Sequence, residues 1–170
     1  MQSPSHSLLG NFFLCLSLCI SVLTNAHAAN SLSTEAIINL RNADAWALFT
    51  TESGLKSLGY TQARVDLQLG GVLQASGLPA LSDLNSVVIS FDSEHMLSFK
   101  PDATNSAWTV LYFTAMGKDM TQLRWLEYFT EPQRAAAEQH QQQVRLLFDQ
   151  LIRRYAPECE VCKLEKARLK

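Results

Sequence analysis

One long amphipathic segment near the C-terminus constrains the fold more than any other feature of the sequence. Thr130 and Gln133 form a capping-box pattern, and Pro132 lies in the first turn, where its missing amide is tolerated. Pro157 ends the segment because its ring disfavours an α conformation at the preceding residue. The pattern predicts a helix of about 24 residues. Its apolar face comprises Ala137, Val144, Leu147, Phe148, Leu151 and Tyr155.

Residues 35–58 also carry apolar side chains at helical spacing. Ser33 or Thr34 can cap a helix that begins near the start of this region, because a hydroxyl accepts from the free amides of a first turn. Asn42 can begin a second helix, and Gly59 is a suitable C-terminal stop. We therefore predict helices at the beginning of the domain.

Between these helical regions the spacing of apolar residues changes to two, which is typical of strands. The stretch 74–85 contains Gly77 and Pro79 and predicts a loop. Grouped strands with helices outside the group favour antiparallel pairing. We expect a two-layer α+β fold, in which an antiparallel sheet of four or five strands is flanked by N-terminal helices and one long C-terminal helix. Strands are predicted at 64–69, 87–91, 96–99 and 108–115, and 121–129 fits either a strand or a helical turn.

The first 28 residues contain no Asp, Glu, Lys or Arg, and 8–23 is almost entirely apolar. This run has the length of a signal-peptide core and is shorter than the roughly 20 residues of a membrane-spanning helix. Ala26 and Ala28 suit signal cleavage. We expect a cleavable signal peptide at 1–28, an uncleaved anchor being the alternative. A single domain at 29–156 and a tail at 157–170 follow, in a periplasmic or secreted protein with no stable membrane insertion.

Two cysteines, Cys159 and Cys162, remain after signal cleavage. In an oxidising compartment such a pair is predicted to form a disulfide. A reactive redox pair is the alternative, but the neighbouring Glu158 and Glu160 oppose thiolate formation. A metal site would need two further ligands, so neither a metal nor a cofactor is predicted.

Four aromatic residues are the candidate binding residues: Trp108, Tyr112, Trp125 and Tyr128. Such side chains line ligand pockets or the centres of protein interfaces, and packing within the domain is the alternative. No catalytic residue is predicted, since the sequence has neither a nucleophile elbow nor a phosphate-binding loop. Asp92, Glu94 and His95 are interpreted as a solvated turn, and His140 as a residue at the edge of the long helix.

The net charge of −2 excludes a large basic field for nucleic acid. The sequence favours an exported, non-enzymatic binding protein that occludes a protein partner in the cell envelope, as inhibitors and immunity proteins do. An exposed patch centred on Trp or Tyr would support this function. The alternatives are a small-ligand carrier with a pocket between the long helix and the sheet, and a thiol-disulfide protein.

Overall fold

The computed structural model describes residues 30–78, 83–101 and 107–156. The predicted signal peptide and the tail with Cys159 and Cys162 lie outside these residues. The elements are β1 (Asn30–Ile38), α1 (Asn42–Thr50), α2 (Glu52–Leu58), β2 (Gln62–Val65), β3 (Val72–Ser76), β4 (Leu84–Asp92), β5 (Met96–Pro101), β6 (Trp108–Ala115), β7 (Thr121–Phe129), a 3-10 turn (Glu131–Gln133) and α3 (Arg134–Arg154).

The strands form one antiparallel sheet in the order β1-β7-β6-β5-β4-β3-β2. Six of them follow each other as a meander, and β1 adds to the far side of β7. The described chain is therefore α+β, but the predicted four- or five-stranded sheet is wrong because the sheet has seven strands. The two missed strands, β1 and β3, come from regions predicted as helix or loop.

β1 replaces the first predicted N-terminal helix. Its side chains alternate: Thr34, Ala36 and Ile38 are buried, whereas Ile37 is half exposed. Two of the three buried positions carry a small or polar residue, so the period of two is weak in the sequence. Thr34 needs no larger side chain, because its hydroxyl donates to Gln141 of α3, which packs over this strand.

The region between α2 and β4 differs from its prediction in a second way. The predicted strand 64–69 ends at Val65, and a turn through Gly70 follows, with φ of 78°. The end of β3 and the start of β4 occupy 74–76 and 84–85 of the predicted loop 74–85. The turn begins earlier than predicted. The amide of Asp66 donates the last backbone hydrogen bond of this strand pair, to the carbonyl oxygen of Val72, so the chain reverses before Leu69.

α3 follows the predicted pattern closely. The backbone amide and the hydroxyl of Thr130 lie 2.9 and 3.0 Å from Oε1 of Gln133, so this pair starts the helical segment. The first turn is a 3-10 turn, and the α-helix itself has 21 residues. The predicted apolar face is confirmed: five of its residues are buried, and Tyr155 is half-buried.

All three helices pack on one face of the sheet, here called the inner face. Trp46 and Phe49 of α1 contact Phe113 of β6 edge-on, at centroid distances of 5.2 and 5.9 Å. α3 lies over β1 and β7 on the same side, where Gln141 meets Thr34. The opposite, outer face has no covering layer among the described residues. None of the described helices has the length and apolar character needed to cross a membrane.

Candidate ligand-binding cavity and groove

The inner face of β7 supplies the most unusual side chains of the site. Along this strand Leu123, Trp125, Glu127 and Phe129 alternate with outward residues and are all buried beneath the helical layer. A carboxylate among three apolar residues is costly to bury without a partner. Glu127 is only 6% exposed, so its carboxylate needs a hydrogen-bonding partner beneath the helical layer.

A cavity of about 60 Å³ lies between α3 and the inner face of the sheet. Apolar side chains from the sheet, from α1 and α2, and from α3 form most of its wall. The residues with polar atoms at the wall are Tyr60, Asp83, Trp125 and His140. The two layers therefore leave a void that is apolar in its interior and polar at a few positions.

A groove of about 420 Å³ adjoins this cavity. The groove and the cavity share Asp83, Leu84, Phe99 and His140 as lining residues, so the two spaces meet at these side chains. The groove continues along the N-terminal part of α3 past Ala136. Its volume lies within the range of roughly 300–1,000 Å³ that is usual for small-molecule sites.

His140 and Glu127 form a pair where the two spaces meet. Nδ1 of His140 lies 2.9 Å from Oε2 of Glu127, and their side chains are 32% and 8% exposed. When Glu127 is ionised and His140 is neutral, the carboxylate can only accept, so Nδ1 carries the hydrogen and donates. This tautomer leaves Nε2 as a hydrogen-bond acceptor, because the other ring nitrogen holds the hydrogen.

Trp125 lies beside this pair, with its ring in edge contact with His140 at 5.7 Å and with Phe99 at 5.6 Å. Its Nε1 is buried and has no hydrogen-bond partner within the described part of the chain. An unpaired buried donor costs about 1–3 kcal/mol. An indole has a single hydrogen-bond donor and no acceptor. Turning the ring therefore cannot present a different polar group in place of the unpaired N–H.

Tyr60 adds a neutral phenol to the cavity wall. Burial, together with the smaller effect of the nearby negative charge of Asp83, raises the pKa of Tyr60 to about 12. The phenol therefore remains protonated over the whole neutral range. Asp83 and Glu127 are then the acidic groups of the site, and neither Lys nor Arg occurs among the described residues that line the cavity or the groove.

The four predicted binding residues do not form a single site. Trp108, Tyr112 and Tyr128 lie on the outer face of β6 and β7, whereas Trp125 points inward. Trp108 and Tyr128 stack with their ring centroids 4.8 Å apart and their planes 16° from parallel. Trp108 and Tyr112 are 41% and 38% exposed, so three of the four share an accessible surface.

The predicted turn of Asp92, Glu94 and His95 connects β4 to β5. Nδ1 of His95 lies 2.9 Å from the carbonyl oxygen of Ser93 and 3.8 Å from Oδ2 of Asp92, and the side chains of His95 and Asp92 are both more than 70% exposed. This agrees with a solvated turn. Within residues 30–78, 83–101 and 107–156, no group of three potential metal ligands comes together.

Sequence reasoning missed the pair of Glu127 and His140. Its signal was the glutamate at an inward position of the alternating pattern 123–129, which becomes visible only when that segment is read as a strand. Because the same segment also fits a helical turn, the inward carboxylate was not recognised. His140, predicted to be a helix-edge residue, lies at the edge of the helix but faces this carboxylate.

No protein-family model and no curated protein matches the sequence. Solved structures do match. Protein NE0264 from Nitrosomonas europaea is 15% identical, with 75% of this chain and 96% of that chain covered at a TM-score of 0.58. Ms6760 from Mycobacterium smegmatis is 14% identical, with 74% of this chain and 90% of that chain covered at a TM-score of 0.58. The Aha1 dimer from Colwellia psychrerythraea is 11% identical, with 72% of this chain and 96% of that chain covered at a TM-score of 0.56. At these identities, the likeness shows that the chain shares the fold of these proteins, with one long helix across an antiparallel sheet.

Proposed function

We propose that this protein binds and carries a small, largely apolar molecule between α3 and the inner face of the sheet. The observation that carries this proposal is an apolar cavity that adjoins a groove of the size of a small-molecule site. A tightly packed interface at this place would have left no room for a ligand. The likeness to solved structures supports the fold in which such a space arises, without indicating the ligand.

The cavity alone is too small for most metabolites. An engineered void that holds benzene measures roughly 150 Å³, which is larger than the cavity of about 60 Å³ seen here. The body of the ligand therefore occupies the groove, and one end of it reaches into the cavity past Phe99 and His140. If residues 1–28 act as a signal peptide, the protein performs this role in the periplasm or outside the cell.

A steric block in the groove tests the proposal. Ala136 lines the groove and is exposed, so Ala136→Trp fills the space without disturbing the core. Neutral phenylnaphthylamine, whose fluorescence rises in apolar sites, serves as the probe. We expect saturable binding by the unmodified protein and a loss of about tenfold or more in affinity in the variant, since lost contacts worth about 1.4 kcal/mol change affinity tenfold.

Ala135→Trp is the matched control, because Ala135 is exposed on the same helix but does not line the groove. It should bind the probe as the unmodified protein does. Equal affinities for both variants, or fluorescence that does not saturate, would contradict a site between the two layers.

A second candidate function rests on the outer face, where we infer a contact surface for a protein partner in the cell envelope. The outer aromatic patch comprises Trp108, Tyr112 and Tyr128. The paired residues Val110 and Leu126 lie next to the Trp108–Tyr128 pair on the same face of the sheet. Tyr and Trp are enriched at the energetic centres of protein interfaces. The patch supports the occlusion of a partner that the sequence predicts, and it does not compete for space with the cavity.

Site-specific photo-crosslinking in intact cells tests this second function. A photoreactive residue in place of Tyr112 should give a discrete crosslinked product that the additional change Trp108→Ser removes. The control position is Leu146, which is 53% exposed on the far side of α3. Crosslinks of equal yield and pattern from both positions would speak against a dedicated surface on the sheet.

A further inference from the structure

We infer that the ligand carries an uncharged hydroxyl group, which binds between Nε1 of Trp125 and Nε2 of His140 where the cavity meets the groove. This inference rests on the proposed ligand-binding function and adds the chemical class of the ligand. It is carried by a buried donor without a partner, by the tautomer that Glu127 imposes on His140, and by the charges of the surrounding wall.

The donor comes from Trp125, which is 6% exposed and lines the cavity. Its Nε1 lacks a partner among the described residues. Buried polar groups in folded proteins are almost always hydrogen-bonded, so each exception needs an explanation. An oxygen atom of a bound ligand supplies the missing acceptor, and an apolar ligand without an oxygen would leave the donor unpaired.

The acceptor comes from His140, which lines both the cavity and the groove. In the neutral imidazole whose Nδ1 donates to Glu127, Nε2 presents a lone pair that can accept from a ligand. The imidazole and the indole are in edge contact at a centroid distance of 5.7 Å, so one small group at this junction can reach both rings. A hydroxyl accepts from the indole and donates to the imidazole, whereas a ketone satisfies only the indole.

The charges of the wall disfavour an anionic ligand, and the unpaired indole donor disfavours a cationic one. A carboxylate ligand would face Asp83 and Glu127 with no Lys or Arg among the described lining residues to neutralise it. An ammonium ligand has no acceptor for the indole N–H and would leave Trp125 unpaired. An uncharged alcohol is the class that satisfies both ring nitrogens and avoids repulsion.

Three naphthalene compounds of similar shape test the inference by displacement of phenylnaphthylamine: naphthalenemethanol, methylnaphthalene and naphthoate. Trp125→Phe keeps an aromatic ring and removes the donor. We expect this variant to bind the alcohol about tenfold more weakly, the usual effect of losing one buried hydrogen bond. Its affinity for methylnaphthalene should change by less than about twofold, and naphthoate should bind more weakly than the alcohol to the unmodified protein.

Trp108→Phe is the matched control, because it makes the same change on the outer face and should alter none of the affinities. If Trp125→Phe does not fold, Glu127→Leu combined with His140→Phe removes both members of the pair and should also weaken binding of the alcohol alone. Equal losses for the alcohol and methylnaphthalene, or tighter binding of naphthoate, would overturn the inference and leave the ligand-binding function intact. If none of the three compounds displaces the probe, the proposed function fails as well.

Discussion

At the scale of single residues, the inner face sets a few polar groups into an otherwise apolar wall. Burial and the charge of Asp83 keep Tyr60 protonated, and its pKa of about 12 lies above the ordinary value of 10.0. Glu127 is buried but paired with His140 at 2.9 Å. Tyr60 thus presents a neutral hydroxyl to the cavity, and a few such polar groups can orient a bound molecule.

The raised pKa of Tyr60 predicts a loss of stability at high pH. Tyrosine is neutral when protonated, and the unfolded chain loses this proton near its ordinary pKa of 10.0, whereas the folded chain keeps it until about 12. Above about pH 10 the unfolded state is therefore favoured progressively, and the contribution of Tyr60 is lost as the pH rises through the folded pKa. At about pH 11 the free energy of unfolding should fall by on the order of 1 kcal/mol through this group.

Urea unfolding of Tyr60→Phe between about pH 8 and pH 11 measures this contribution. The variant should lose less stability over this interval than the unmodified protein. Tyr112→Phe, on the outer face, is the control and should retain the full pH dependence because Tyr60 is still present. The same slope in all three proteins would contradict the assignment to Tyr60.

At the scale of elements, the packing of α1 against α2 depends on a glycine. A Cβ atom added at Gly54 would lie 2.0 Å from the carbonyl oxygen of Ala47 and 2.7 Å from Cα of Leu48. Both contacts are with backbone, which cannot rotate away. Gly54→Ala should therefore lower the free energy of unfolding by about 2–3 kcal/mol, since overpacking outweighs the gain in helix propensity of about 1 kcal/mol.

Gly117→Ala is the matched control, because a Cβ atom there meets no atom within 4 Å and the residue does not have a positive φ. Its effect should stay within about 0.5 kcal/mol. Chemical unfolding of both variants provides the comparison. A Gly54→Ala protein as stable as Gly117→Ala would show that the two helices separate more easily than their backbone contact implies.

How far an element could be predicted depended on the strength of its pattern. α3 was predictable because a long apolar face, a capping pair and a following proline agree with each other. β1 was not, because Thr34 and Ala36 fill its inward positions and two adjacent isoleucines fit a helix equally well. β7 remained ambiguous since Leu123 pairs with Trp125 at strand spacing and with Leu126 at helical spacing.

The candidate site was less predictable than the elements. Trp125 was among the predicted binding residues, but sequence alone could not place it on the opposite face from Trp108 and Tyr128. The pairing of Glu127 with His140 joins a strand and a helix, and no local pattern records which strand the helix crosses. Such contacts follow from the order of strands in the sheet, which the sequence pattern did not establish.

At the scale of the whole molecule, the cavity and the groove lie between two layers that must both be in place for a ligand to bind. A ligand that binds only the folded chain stabilises it by mass action. At a free probe concentration of about 100 times the Kd, phenylnaphthylamine should raise the free energy of unfolding by about 2.7 kcal/mol. Ala135→Trp should show the full gain and Ala136→Trp little of it. Because both variants retain the outer aromatic patch, an equal gain in the two would place the probe on the outer face and remove the support for a site between the layers.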